Sequence, residues 1–290
     1  MSAREVVSLT PAFLREWPLP SPQGDKSSRG TVLVIGGSRS TPGAVILAGT
    51  AAMRAGAGKL QIATSESTAP ALGVAVPEAM VIGLPETPMG NVAAEPPQQL
   101  LDLVSSADVV VVGPGLFDGD ETDQLLAAVL GALGDDSAAV VDACALASVA
   151  RRPEVLEGCA DRVVLTPNQS EGAGLLDREL SDDLDAEAAE IAQKYGCVVS
   201  LFGHIAGPVG GAWRDETAGS GLGTSGSGDV AAGMVGGLLA RGAEPSQAAC
   251  WGINVHAAAG QRLAVERGRT SYLAREIVDG IAPALAALEV

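Results

Sequence analysis

The chain has 290 residues, 47% of them hydrophobic, and a formal net charge of −17. That length can bury a large core, while the acidic balance argues against nucleic acid or an anionic membrane surface as a partner. The N-terminus has no continuous apolar run of signal-peptide length, no stretch of 18 or more apolar residues occurs, and the four cysteines, Cys144, Cys159, Cys197 and Cys250, form no CxxC pair, so the sequence predicts a soluble protein of the reducing cytoplasm without disulfides or structural zinc.

Residues 1–29 read as an N-terminal leader. It contains a short amphipathic helix over Thr10–Trp17, with Pro11 at the first helical position and Pro18, Pro20 and Pro22 breaking it. SPQGDKSSRG then reads as a loop into the first strand, Thr31–Ile35, whose TVLVI run suits a strand buried on both faces. That strand enters GGSRSTPGA, a helix spans Ala44–Ala55, and KLQIAT resumes as a strand, completing a βαβ unit. The turn is neither a Walker A loop nor a clean GxGxxG, so by itself it says only that the chain reverses tightly.

The alternation continues. Strands are expected at Met80–Leu84, Asp108–Val112, Ala138–Val141, Arg162–Leu165 and Cys197–Leu201, and helices at Gln98–Ser105, Glu121–Leu133 and Asp182–Tyr195. A last helix, Ser246–Glu266, is expected to close the core, capped by Ser246. Strands alternating with helices imply one domain over residues 30–290, an α/β three-layer sandwich with a mostly parallel central sheet and helices on both faces. In such folds ligands gather at the carboxyl ends of the strands. The polar and glycine-rich insertions fall there, including GPGL, Asp142, TPNQSE and FGHIAG.

Thr217–Gly242 carries the densest chemistry. Gly219, Gly221, Gly223, Gly226 and Gly228 precede an abruptly apolar helix, with Asp229 at the junction. A glycine run opening into a helix frees backbone N–H groups for an anion, helped by the helix dipole, and a phosphate suits that place. Asp229 then has two readings, an ordinary helix cap or a base for a hydroxyl that meets the phosphate. The dipole is expected to lower its pKa and keep it ionised at pH 7. His256 reads as a packed, hydrogen-bonded core residue, and His204 as a loop residue within reach of a nucleotide.

GTVLVIGGSRSTPGAVILAGTAAMRAGAG, DVVVVGPGL, VLTPNQSE and GLGTSGSGDVAAGMVGGLLARG, in this order and spacing, resemble the nucleotide-dependent NAD(P)H-hydrate dehydratases of the ribokinase-like superfamily. The resemblance implies a ribokinase-like fold and a lyase that uses ADP or ATP, with Mg2+, to remove water from the 6-hydroxylated nicotinamide ring and restore NADH or NADPH. It implies that Asp229 contacts the hydrate and activates its hydroxyl, and that Gly226, Ser227 and Gly228 hold phosphates. Ala44, Gly115, Asn168 and Glu171 would line the hydrate pocket, and Phe202, Gly203, His204, Ile205 and Ala206 would lie along the adenosine. No protein side chain is expected to ligate a metal, and the resemblance suggests a homo-tetramer.

Three positions depart from the family pattern. Asn168-Gln169-Ser170-Glu171 stands for His-Pro-Gly-Glu, Phe202 for a lysine, and Asp142-Ala143-Cys144-Ala145-Leu146 for Asp-Ala-Asp-Ala-Leu. Asn-x-x-Glu is the form seen in the superfamily's small-molecule kinases. A kinase of vitamin-precursor or sugar type is therefore the alternative, with a catalytically weak nucleotide-binding paralogue as a third reading.

Overall fold

The computed structural model describes residues 5–21, 25–217 and 219–289. Pro22, part of the loop that follows it, and Ala218 of the glycine run lie outside the described residues. In chain order the elements are β1 (Val7–Ser8), α1 (Pro11–Glu16), β2 (Thr31–Ile35), α2 (Gly43–Ala55), β3 (Lys59–Ser65), α3 (Ala69–Ala75), β4 (Ala79–Leu84) and α4 (Gln98–Ser106). Next come β5 (Val109–Val112), α5 (Asp120–Gly131), β6 (Ala138–Val141), α6 (Cys144–Arg151), β7 (Val163–Leu165), α7 (Gln169–Leu176) and α8 (Leu184–Tyr195). The chain ends with β8 (Val198–Leu201), β9 (His204–Ala206), β10 (Ala212–Arg214), α9 (Ser227–Ala240), α10 (Pro245–Arg267) and α11 (Ala274–Leu288).

One sheet of ten strands, in the order β1-β10-β9-β8-β7-β6-β5-β2-β3-β4, holds the described strands together. From β8 to β4 every neighbouring pair is parallel, and only β8–β9 and β9–β10 are antiparallel. The valine runs explain this centre. Val109–Val112 are all buried, as strands covered on both faces must be. Side chains of a strand alternate between faces, so Val32, Val34, Val109 and Val111 join the layer of α2, α9, α10 and α11. Leu33, Ile35, Val110 and Val112 face the other layer, with Leu125, Leu146 and Ile191. This is the three-layer sandwich the sequence implies.

Because β2, β5, β6, β7 and β8 are parallel, their carboxyl ends share one edge, from which Gly36, Gly113, Asp142, Thr166 and Phe202 emerge. α9 begins at that edge and packs closely on α2. A Cβ on Gly233 would lie 2.0 Å from the Ala48 carbonyl oxygen, and one on Gly237 would lie 2.3 Å from that of Ala52. Glycine here lets two helix backbones touch.

Besides the short elements that no sequence pattern marked (β1, α3, α6, α7, β9 and β10), three details differ from the sequence reading. Ser246 does not cap α10, which starts at Pro245 after Glu244 with no side-chain cap bond; Pro245 takes the first helical position, where its missing N–H costs nothing. A further helix, α11, follows α10 and buries Ile277, Ile281 and Leu285. The N-terminal segment is woven into the core, since β1 pairs with β10, Leu14 is fully buried and Trp17 stacks on Trp213 at 5.8 Å. α1 itself matches expectation, with Thr10 Oγ1 accepting from the Phe13 N–H. Among the described residues no helix is long and apolar enough to cross a membrane.

Candidate active site

The site is built around the first turn of α9. Gly226 is the N-cap, with φ of 87°, and no side chain caps the helix. That left-handed φ favours glycine, and a Cβ would in addition push on Leu47, whose Cδ1 lies 2.5 Å away. Gly228 is the opposite case, since a Cβ on it would meet nothing within 4 Å. The first-turn N–H groups of a helix have no intrahelical partner. That of Ser227 bonds the Thr224 carbonyl at 3.1 Å, which leaves those of Gly228 and Asp229 as donors on the open side. The Ser227 hydroxyl is turned inward, 3.0 Å from His256 Nε2. Burial pushes the His256 pKa down to about 4, so the ring is neutral and serves the core, as its apolar helix suggested.

Three carboxylates face one another across the carboxyl edge. Asp142 leaves β6 fully buried and accepts a 2.8 Å hydrogen bond from Thr166 Oγ1. Burial, reinforced by the charges of Glu171 and Asp229, pushes its pKa up to about 7. Asp229 is half-buried, and burial followed by the Glu171 charge raises its pKa to about 6. The sequence reading expected the helix dipole to lower it. Removal from water beside a second carboxylate outweighs the dipole here, although Asp229 remains mostly ionised at pH 7. Glu171 is also raised by burial, an effect opposed by the Asn168 N–H.

Asn168 and Glu171 have a structural role. Asn168 Oδ1 accepts from the Glu171 N–H at 3.0 Å and Glu171 Oε2 accepts from the Asn168 N–H at 2.8 Å, a capping box that starts α7. Among the described residues no group of three His, Cys, Asp or Glu side chains is spaced to hold a metal ion.

Ala44 and Gly115, from segments far apart in sequence, meet at the same edge. A Cβ on Gly115, whose φ is 71°, would lie 2.9 Å from Ala44 Cβ. The two loops are tied by Thr41 Oγ1 donating to the Gly115 carbonyl at 2.7 Å and by the Gly37 N–H donating to that of Pro114 at 2.7 Å. Ala44 also leads to Leu47, one helical turn along α2, which touches the Gly226 turn.

The β8–β9 hairpin supplies the last expected group. Phe202 and Gly203 form its two-residue turn with φ of 50° and 90°, the positive values such hairpins need. Phe202 is 66% exposed at the tip. His204 is half-buried and bound by Nδ1 to Asp185 at 2.6 Å. Ile205 and Ala206 are buried and their backbones pair with β8 and β10 on either side, so the structure corrects the expectation for these two: they support the hairpin, and Phe202, Gly203 and His204 are its groups nearest a ligand.

The sequence reading did not single out Asp215. It is buried, accepts from Asn254 Nδ2 at 2.6 Å and from the Thr217 N–H at 2.8 Å, and so anchors the start of the glycine run to α10. Its partner lies 39 residues away, and no spacing rule signals it. Thr166 on Asp142 was missed for the same reason, being 24 residues distant.

The model of a family described as NAD(P)H-hydrate dehydratase matches residues 32–283. The chain is 43% identical over 287 residues to the ADP-dependent (S)-NAD(P)H-hydrate dehydratase of Xanthomonas campestris, covering 96% of this chain and 95% of that protein. The ADP/ATP-dependent NAD(P)H-hydrate dehydratase of Bacillus subtilis, co-crystallised with ATP and Mg2+, superposes with a TM-score of 0.80 at 28% identity, covering 99% of this chain and 100% of that one. A ribokinase-like superfamily protein of Enterococcus faecalis shares the fold, with a TM-score of 0.82 at 24% identity over 98% of this chain and 96% of its own. The fold is thus ribokinase-like, and the chain belongs to the NAD(P)H-hydrate dehydratase family.

Proposed function

We propose that this protein is a hydro-lyase that dehydrates the 6-hydroxylated form of NADH or NADPH, with ADP or ATP consumed, and so restores the reduced coenzyme. The observation that carries the reading is the pairing of an uncapped α9 N-terminus, open at Gly228, with the carboxylate of Asp229 in the same turn. Family membership supplies the substrate class.

The nucleotide's phosphates would rest on the N–H groups of Gly228 and Asp229, at the positive end of the helix. Phe202, Gly203 and His204 would border the adenosine, with Ile205 and Ala206 holding the hairpin in the sheet beneath them. Ala44, Gly115, Asn168 and Glu171 would hold the hydrate with its hydroxyl toward Asp229. The hydroxyl oxygen forms a bond to the terminal phosphorus as Asp229 takes its proton, and the shortened nucleotide leaves. The ring nitrogen's electron pair then expels phosphate from C6, and loss of a C5 proton restores the dihydronicotinamide. Hydroxide is a poor leaving group and phosphate a good one, which gives the nucleotide its purpose. Hard carboxylates suit Mg2+, and this ion commonly keeps several waters and sits on substrate phosphates. Bound that way it would neutralise phosphate charge opposite Glu171 and Asp142. We place the enzyme in the cytoplasm as a homo-tetramer; its four cysteines are free thiols, which suits a reducing compartment.

The alternative, a small-molecule kinase, rests on Asn168-x-x-Glu171, a pair whose capping box starts α7 in either case. The test is incubation with hydrated NADH and ADP or ATP while following dihydronicotinamide absorbance. Free phosphate should appear in step with NADH. A phosphorylated hydroxymethylpyrimidine, pyridoxal or ribose formed at a useful rate, with the hydrate inert, would reverse the reading. Size-exclusion chromatography checks the tetramer, and chelation by EDTA checks the need for Mg2+.

A further inference from the structure

A stretch of this acidic chain rich in arginine lies beside the site. Residues 262–275 hold Arg262, Arg267, Arg269 and Arg275 against one acid, Glu266, so four of the 18 cationic side chains fall in one short segment. This elbow joins α10 to α11 and rests on the glycine run, where a Cβ on Gly221 would lie 2.3 Å from the Arg269 carbonyl oxygen. It also borders a cavity of about 620 Å3 between α2, α10 and α11, lined by Ile46, Leu47, Thr50, Arg262, Arg275 and Pro283 among others.

The cavity continues the site. Leu47 lines it and also abuts the Gly226 turn, whose built Cβ lies 3.8 Å from Asp229 Oδ2. Ala44, Leu47 and Thr50 follow one another at helical spacing along α2, each half-buried. On the facing helix, His256 touches the first residue of α9, and Arg262 follows six residues later, about 9 Å further along the axis. Of the other charges on the cavity, Arg267 pairs with Glu276 at 2.7 Å and Asp279 with Arg54 at 3.7 Å. Arg262 and Arg275 are exposed and have no ion pair among the described residues, and Glu266 is the one acid beside them left to oppose them.

A dinucleotide has an anionic half that does not react, and the carboxylates of Asp142, Glu171 and Asp229 repel it. We infer that the cavity between α2, α10 and α11 receives the diphosphate-bearing half of the dinucleotide substrate, with Arg262 and Arg275 as its phosphate partners. This rests on the dehydratase reading. It divides two phosphate groups between two places, the adenine nucleotide on the α9 N-terminus and the dinucleotide's own phosphates on the α10–α11 elbow.

The experiment is calorimetric titration of wild type and of the Arg262→Gln/Arg275→Gln double variant with NADPH, the product dinucleotide, and separately with ADP. Both arginines are exposed, so the fold should survive, and matched circular dichroism checks this. NADPH should bind the variant at least ~10-fold more weakly, the scale of a lost charge-assisted contact, with ADP affinity within about twofold. NADPH affinity that is unchanged, or absent already in the wild type at millimolar concentration, overturns the inference. A parallel loss of ADP affinity also overturns it, because the arginines would then serve the nucleotide. A wild type that binds NADPH through these arginines yet leaves the hydrate unreacted would sink the dehydratase reading instead.

Discussion

Gly228 and Gly233 stand five residues apart in the same helix, in the same glycine-rich run, and do opposite things. A Cβ on Gly233 would be driven into the Ala48 carbonyl at 2.0 Å, whereas one on Gly228 would meet nothing within 4 Å. The body of α9 is glycine-rich so that it can lie against α2. Its first turn is glycine-rich on the side left open to a ligand. One composition therefore serves packing in one turn and access in the next, and each can be disturbed alone.

The largest effect should come from the open end. Asp229→Asn removes the proposed base and keeps a side chain of the same size; since no side chain caps α9 and burial disfavours the charged form, thermal stability should hold or rise while turnover drops by at least ~10²-fold. Turnover near wild type would falsify the catalytic role and, because Gly226 is the N-cap and no side chain caps α9, would leave Asp229 with neither of its two expected roles. The same residue sets the acid limb. With its pKa pushed up to about 6, the active, ionised form is present above that value, and kcat/KM should fall as pH drops through it. Glu171→Gln should move this limb to lower pH, because the Glu171 charge is one of the two causes that raise it.

The packed body gives the next effect. Gly233→Ala should cost about 3 kcal/mol of stability, since the α2 backbone must shift to admit a methyl group, and denaturant melts read this directly. A variant as stable as wild type would mean that the α2–α9 contact is looser than the geometry shows. Asp142 tests the boundary between the two regions. Its folded pKa of about 7 lies above the ordinary carboxylate value, so its contribution favours the folded state below about pH 4 and is lost as pH rises through 7. Asp142→Asn should therefore stabilise the protein at pH 8 by on the order of 2 kcal/mol, and by much less at pH 5. His256, held near 4, acts in the opposite sense, its contribution being lost as pH falls from 6.5 toward 4. Equal effects of Asp142→Asn at both pH values would remove Asp142 from this account.

Gly228→Ala should give the smallest change. Stability should hold or rise by up to about 1 kcal/mol, as alanine suits a helix better than glycine, while ADP affinity weakens about 10-fold because a methyl group enters the phosphate space. Calorimetry with ADP beside a thermal melt separates this from Gly233→Ala, where stability falls first.

Local pattern determined much of this molecule. The valine runs Val32–Val34 and Val109–Val112 can only be strands covered on both sides, and their alternation with amphipathic helices dictates a parallel sheet with ligands at its carboxyl edge. Thr10 with Pro11 marks the start of α1, and the step from glycines to an apolar helix marks the α9 N-terminus. Tertiary structure alone decided what those groups do. Which glycines touch a backbone and which face open space depends on α2, some 180 residues away in sequence. The direction of the Asp229 pKa depends on burial and on Glu171, and those long-range terms exceed the local dipole that the sequence makes visible. The pairs Thr166–Asp142 and Asn254–Asp215, like the approach of the arginine elbow to Leu47, come from chain crossings between layers. Hydrogen bonds and charges act through space, whereas periodicity and caps act along the chain, so the sequence speaks for the second kind and only the assembled fold for the first.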